Sequence, residues 1–155
     1  MRTLLAAAIL AVPALAPAAE TAAPIAAEVE RGVKAYNAQQ IVYYEEALAP
    51  EAVYIAEDGA TFVGKEKVLR LFSRIFGRTS PPQIAIEDVV TGGKGDVAWA
   101  RFKWTLTTGA ESRQGVSSIL FSRAGDAWQV LQIQSTPAGH AKPAPGASPS
   151  APPKH

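Results

Sequence analysis

The 155-residue chain contains no cysteine. That excludes a disulfide scaffold, thiolate-held zinc or iron–sulfur centres, a thiol nucleophile and a lipid-modified cysteine anchor. Histidine is nearly as scarce. The chain has two, His140 and His155, both in a proline-rich C-terminal stretch. The remainder has no imidazole, so Ser–His–Asp and Cys–His nucleophile systems and His-based acid–base pairs are not available to it. Charge of one sign is missing too. Lys and Arg number 15 against 14 Asp and Glu, a formal net charge of +1. That is too little to attract nucleic acid through a general basic field. No apolar run reaches the ~20 residues that a membrane-spanning helix needs.

The longest apolar run, Leu4 to Leu15, lies within MRTLLAAAILAVPALAPA. Arg2 supplies a positive n-region, and Ala16-Pro17-Ala18 fits a small-x-small cleavage site. Residues 1–18 therefore read as a signal peptide. The mature chain is expected to be periplasmic or secreted, with no membrane span after cleavage. Without Arg2 its basic and acidic residues balance. From Pro137 the sequence runs PAGHAKPAPGASPSAPPKH, proline-rich and without an apolar face. Residues 137–155 are expected to form a disordered, partly polyproline-II tail. What is left, 19–136, is one domain that packing alone must stabilise.

Helical spacing comes first within that domain. Ile25, Val29, Val33, Tyr36 and Gln40 share one side, predicting an amphipathic helix from near Pro24 that Asn37-Ala38-Gln39 kinks or ends. A second helical piece, Ile41–Leu48, stops before Pro50. Val53–Ile55 and Thr61–Val63 read as a short hairpin around Asp58-Gly59. KEKVLRLFSRIFG is a third helix, with Val68, Leu69, Phe72, Ile75 and Phe76 inward and Gly77 at its C-cap. After Pro81-Pro82 the period changes to two. Strands are predicted at Gln83–Thr91, Val97–Thr108, Arg113–Arg123 and Trp128–Ser135. Turns are predicted at Gly92–Asp96, Gly109–Glu111 and Ala124–Asp126. Gly92-Gly93-Lys94-Gly95 resembles a phosphate loop only superficially, because it joins two strands rather than leading into a helix. Helices followed by a strand meander make an α+β domain with helices on one sheet face.

Alternation assigns the faces. Ala98, Ala100, Phe102, Trp104 and Leu106 share one face, as do Ser117, Ile119 and Phe121, and Leu131, Ile133 and Ser135. These should face the helices. The opposite face carries Trp99, Leu120, Trp128 and Val130, more apolar than a solvated face needs. It is expected to form a homodimer surface. Arg101 either pairs with a carboxylate across that interface, which alternation favours, or anchors an anionic ligand.

Four segments together resemble a known family. LAPEAVYIAEDG is similar to its F-x-x-D-A-x-x-x-x-x-x-G stretch, and VGKEKVLRLF to its x-G-x-E-x-I-x-x-x-F helix. GDVAWARFKWTL is similar to a G-D-x-A strand, and AGDAWQVLQIQST to a closing x-G-x-W-x-I-x-x-x-x-S strand. Their order and spacing over Ile25–Pro137 resemble the SnoaL-like branch of the nuclear transport factor 2-like superfamily. The resemblance implies a cone-shaped, curved antiparallel sheet wrapped by about three N-terminal helices around a pocket, often in a dimer. Some members are enzymes, among them ketosteroid isomerase, polyketide cyclases and limonene-epoxide hydrolase. Others only bind ligands or partners.

The isomerase constellation of a Tyr, an Asp base and a second, protonated Asp is not retained. Ungapped matching places Gly32, Ala56 and Ser117 at those positions. Glu57 or Asp58 replaces the base only if the register slips. Asp58, Asp96 and Asp126 sit beside glycines as turn residues. The remaining candidates for lining a pocket are Tyr36, Tyr54, Asp88, Trp104, Ser117, Phe121 and Gln134. Tyr43 and Tyr44 belong near its mouth. Asp88 or Glu87 is expected to point inward, because neighbours alternate. Gln134 stands beside Ser135 where many relatives place a His, exchanging a titratable group for an amide. No metal or cofactor is expected. The best-supported function is an exported, dimeric domain binding a small apolar or cyclic ligand without catalysis. One alternative is an isomerase, cyclase or hydrolase using the inward carboxylate with a Tyr. The other is an assembly module acting through its sheet face.

Overall fold

The computed structural model describes residues 19–139. The signal-peptide reading of 1–18, and the tail from 140 onward, lie outside the described residues. Three helices and six strands follow in chain order: α1 (Ala19–Asn37), α2 (Ile41–Ala47), β1 (Leu48–Ile55), β2 (Thr61–Val63), α3 (Lys65–Phe76), β3 (Gln83–Lys94), β4 (Val97–Thr108), β5 (Glu111–Ala124) and β6 (Ala127–Pro137). The sheet order is β2-β1-β6-β5-β4-β3. Every pairing is antiparallel except β1 with β6, which is parallel. The helices cover one face, and the α+β cone follows.

The helix α1 starts at Ala19, upstream of the predicted start near Pro24, and Pro24 lies inside it. It ends where the Asn37-Ala38-Gln39 segment predicted a break. Gln39 adopts a positive φ of 56°. The Gln40 N–H donates to Ala35 O and the Gln39 N–H to Tyr36 O, a Schellman-type stop. Asn37 then does a second job. Its Nδ2 donates to Ile84 O at 2.8 Å and its Oδ1 accepts from Ile84 N at 2.7 Å. The side chain thus behaves as a short extra strand along β3, which is the outer strand on that side. On α1, Ile25, Val29 and Ala35 are buried, and the helix lies across β3 and β4.

The helix α2 runs straight into β1 at Leu48, earlier than the predicted strand start at Val53. The pairing of β1 with β6 is interrupted between Leu48 and Val53. Pro50, which has no N–H to offer a ladder, sits in that irregularity. The meander turns are tighter than predicted. Lys94 pairs with Val97, leaving only Gly95-Asp96 as the loop. Gly92 and Gly93 are therefore strand residues. The Trp99 ring lies across Gly92, where an added Cβ would stand 2.7 Å from it.

Two bulges correct the alternation-based faces. Between Glu87 and Val90 the β3 strand carries one extra residue relative to β4, and Asp88 has a φ of 53°. A bulge shifts the inward and outward sets by one position. Glu87 and Asp88 are consequently both exposed. Asp88 pairs with Lys103 on the outer face at 2.7 Å. The second bulge lies where Leu120 pairs with Gln132 but Phe121 pairs with Val130. Beyond it Val130 and Trp128 share the face of Phe121. Both are buried, contrary to the outer placement predicted for them. Gln134 falls on the outer face opposite Ser118 and is exposed.

The core closes on Phe72. Its ring lies 4.6 Å from the Tyr44 ring, 5.6 Å from Tyr54, 5.9 Å from Phe76 and 6.3 Å from Tyr36. The three tyrosine contacts are edge-to-face, the arrangement ring quadrupoles favour. Phe72→Ala is expected to lower the unfolding free energy by about 3–5 kcal/mol. Phe72→Leu, which keeps most of the volume, should lose less. Urea unfolding followed by circular dichroism measures both. A loss at Phe72→Leu equal to that at Phe72→Ala would contradict the volume-filling role of the side chain, and no loss at Phe72→Leu would contradict the role of the aromatic contacts.

Candidate functional site

Between helices and sheet lies a cavity of about 120 Å³. Its walls are mostly apolar. Val29, Val33 and Tyr36 line it from α1, Tyr43 and Tyr44 from α2, and Phe72 from α3. Phe102, Trp104 and Leu106 line it from β4, Ile119 and Phe121 from β5, and Val130 and Ile133 from β6. The period of two on β4 puts every second residue into this wall, and the bulge in β6 allows Val130 and Ile133 to serve together.

Polar groups gather at one end. Ser117 is 4% exposed, and its Oγ lies 2.9 Å from that of Ser135. Ser135 also acts on the Tyr54 hydroxyl, favouring its ionised form against burial. Glu57 lines the cavity from the β1–β2 loop and pairs with Arg113 of β5 at 3.6 Å. Both of those charges act on the Tyr36 and Tyr54 hydroxyls. A second polar place is formed by Glu28 and Tyr43. Tyr43 Oη donates to Glu28 O at 3.3 Å, and Arg31 pairs with the Glu28 carboxylate.

Five of the seven predicted pocket residues, Tyr36, Tyr54, Trp104, Ser117 and Phe121, are brought together in this lining. Asp88 and Gln134 are not: the β3 bulge turns Asp88 outward, and Gln134 lies on the outer face, where the alternation of β6 with Ser135 inward puts it. Ser135, the neighbour of Gln134, takes the inward position. The carboxylates that do line the cavity are Glu28 and Glu57. The sequence carried a signal for Glu57 in its adjacency to the Asp58-Gly59 turn, which holds it at the sheet rim. Glu28 reads locally as part of the polar side of α1. Among the described residues, no group of three or more His, Cys, Asp and Glu could hold a metal ion.

Burial dominates the protonation behaviour. It pushes the Tyr36 and Tyr43 hydroxyls up to about 12 from their ordinary 10.0. Tyr44, whose hydroxyl donates to Gly32 O at 2.8 Å, and Tyr54 are also raised, again chiefly by burial. All four tyrosines are therefore neutral hydrogen-bonding groups near neutral pH. On the outer face, the hydrogen bond and charge of Lys103 hold the Asp88 carboxyl below the usual carboxylate range.

A family model described as a SnoaL-like domain matches residues 25–138. No match was found among curated protein sequences. Solved structures share the fold at low identity. A nuclear transport factor 2-like protein of unknown function from Pseudomonas putida is 20% identical, with a TM-score of 0.70 over 76% of this chain and 87% of that one. A provisionally named dehydratase of the same family from Streptomyces avermitilis is 16% identical, with a TM-score of 0.72 over 79% of this chain and 99% of that one. A superfamily member from Salmonella enterica is 16% identical, with a TM-score of 0.66 over 81% and 95%.

The raised tyrosines set an alkaline limit to stability. A hydroxyl with a higher pKa folded than unfolded holds its proton more tightly in the native state. Its contribution is complete below the unfolded value of 10.0 and is lost as pH rises through the folded value of about 12. Phenolate absorbance is expected to appear together with the loss of circular dichroism over that window. Full tyrosine ionisation at the ordinary value, with the fold intact, would contradict their burial.

Proposed function

The chain belongs to the SnoaL-like domain family, and from that premise we propose that its cavity binds a small, compact, mostly apolar ligand without transforming it. The observation that carries this reading is the cavity itself: aromatic and aliphatic walls with hydroxyls gathered at one end, the arrangement of small-molecule sites in general. Size narrows the ligand. A cavity of ~150 Å³ lined by apolar side chains accommodates benzene. The 120 Å³ here corresponds to one ring, and a steroid-sized skeleton needs more room.

Chemistry supports binding over turnover. The two carboxylates predicted as general bases, Glu87 and Asp88, stand in solvent on the outer face. Glu57 lines the cavity, but Arg113 engages it. No imidazole lies among the described residues. The comparisons carry the fold, and the solved relatives are too distant in sequence to carry an activity.

Export and self-association belong to the same reading. Residues 1–18 carry the signal-peptide pattern described above. The outer sheet face exposes Val97, Trp99 and Val116, with Trp99 43% exposed, and this face is proposed to pair with a second copy. Native mass spectrometry of the chain purified from its own host is expected to show a dimer whose protomers begin at Ala19. Trp99→Glu should shift it to monomer. A monomeric wild type or an uncleaved N-terminus would remove the corresponding part of the proposal.

Toluene is the probe for the cavity. It is expected to raise the melting temperature in a saturable way and to shift the Ile119 and Ile133 methyl resonances. Ile133→Phe, which fills the space, should abolish the effect. Asp88→Ala and Gln134→Ala should leave it unchanged. Resonance shifts confined to Trp99 and its outer-face neighbours would reject the cavity as the site.

A further inference from the structure

One polar atom on a cavity-lining residue is left over. Trp104 is only 3% exposed, and its Nε1–H has no hydrogen-bond partner among the described residues. A buried donor left unmade is costly, because the hydration it lost is not replaced. A phenylalanine would offer a similar apolar face without that penalty. The neighbouring strand nevertheless makes room for the indole. Gly115 pairs directly with Trp104, and a Cβ added there would fall 2.2 Å from the ring and 2.2 Å from Thr136 O. An indole is accommodated here and its N–H is unmatched by the protein.

The surroundings restrict what could match it. Ser117 is on the inward face of β5, two residues from Gly115, and so a diagonal neighbour of Trp104. The Ser117 and Ser135 hydroxyls share one hydrogen bond. Two hydroxyls carry two protons, and the link uses one. One O–H therefore remains to be donated, alongside the indole N–H. An indole nitrogen donates only, so the ligand atom must accept. Among the described residues, no Lys or Arg lines the cavity, and its two carboxylates, Glu28 and Glu57, are each already paired with an arginine, so a buried anionic ligand would lack a partner there. An uncharged oxygen with two lone pairs suits two donors.

We propose that the cavity selects a compact, neutral, single-ring compound bearing a carbonyl oxygen, and that the Trp104 Nε1–H is the donor that receives this oxygen. The inference rests on the reading of the cavity as a binding site and adds the chemical class of its ligand. It also gives Gly115 a purpose beyond strand geometry: it holds the space in which the donor is presented.

The test uses the ¹⁵N-labelled full chain, whose three tryptophans give three indole signals assigned by through-bond experiments. The probes are cyclohexanone, methylenecyclohexane (the same shape with CH₂ in place of oxygen) and cyclohexanecarboxylate. Cyclohexanone is expected to bind about tenfold tighter than methylenecyclohexane, the worth of one net hydrogen bond. It should move the Trp104 indole proton downfield and leave those of Trp99 and Trp128 in place. Trp104→Phe should narrow the difference between the two neutral probes. The downfield shift is read on the wild-type chain and holds whether or not that variant folds. Equal binding of ketone and hydrocarbon, or preference for the carboxylate, overturns the carbonyl assignment and leaves the binding site standing. Binding of none of the probes overturns both.

Discussion

Phe72 reaches from α3 into contact with Tyr36 of α1, Tyr44 of α2 and Tyr54 of β1, so a single ring touches every layer that closes the cone. Without a disulfide, and with a modest number of charged residues, the domain depends on such buried contacts for its stability. The edge-to-face geometry matters for more than energy. It turns the tyrosine rings so that their hydroxyls leave the aromatic cluster. Tyr44 reaches the α1 backbone at Gly32 and Tyr54 reaches Ser135. The hydrophobic cluster and the polar end of the cavity are thus two sides of one packing arrangement.

The sheet supplies the complementary constraint. A regular strand would keep one set of residues inward along its whole length. The bulges in β3 and at the β5–β6 pairing break that rule, as bulges do where a sheet must twist and curve around a core. The first sends Glu87 and Asp88 to the surface, where Asp88 meets Lys103. The second brings Trp128 and Val130 inside, and Arg123 stacks 4.6 Å from the Trp128 ring. Both alter the chemistry of the cavity. One removes carboxylates from its wall, and the other adds apolar surface to it.

Much of the element order was legible. The Schellman-type stop at Gln39, the α3 face built around Phe72 and the inward set on β4 all follow from local spacing. Tyr36, Tyr54, Trp104, Ser117 and Phe121 were placed in the pocket by the same spacing combined with a family resemblance. Asp88 was misplaced by alternation, and Gln134 by the family resemblance, since alternation had already put Ser135 inward and Gln134 outward. Alternation is a property of an unbroken strand, and a bulge is decided by the neighbouring strand it pairs with. Asn37 escaped notice because its partner, the Ile84 backbone, lies 47 positions away, beyond any local pattern.

By itself, the sequence determined what this protein must do without: thiol chemistry, imidazole chemistry outside the C-terminal stretch, and a strong overall field. It also determined where helices give way to strands, because periodicity and turn residues act over a few positions. Only the tertiary structure decided which side chains share the cavity. It put Glu57 there in place of Asp88, laid Trp104 over Gly115, and left one buried N–H without a partner among the described residues. Those outcomes come from the register between strands distant in the chain, and register is settled by packing the whole domain at once.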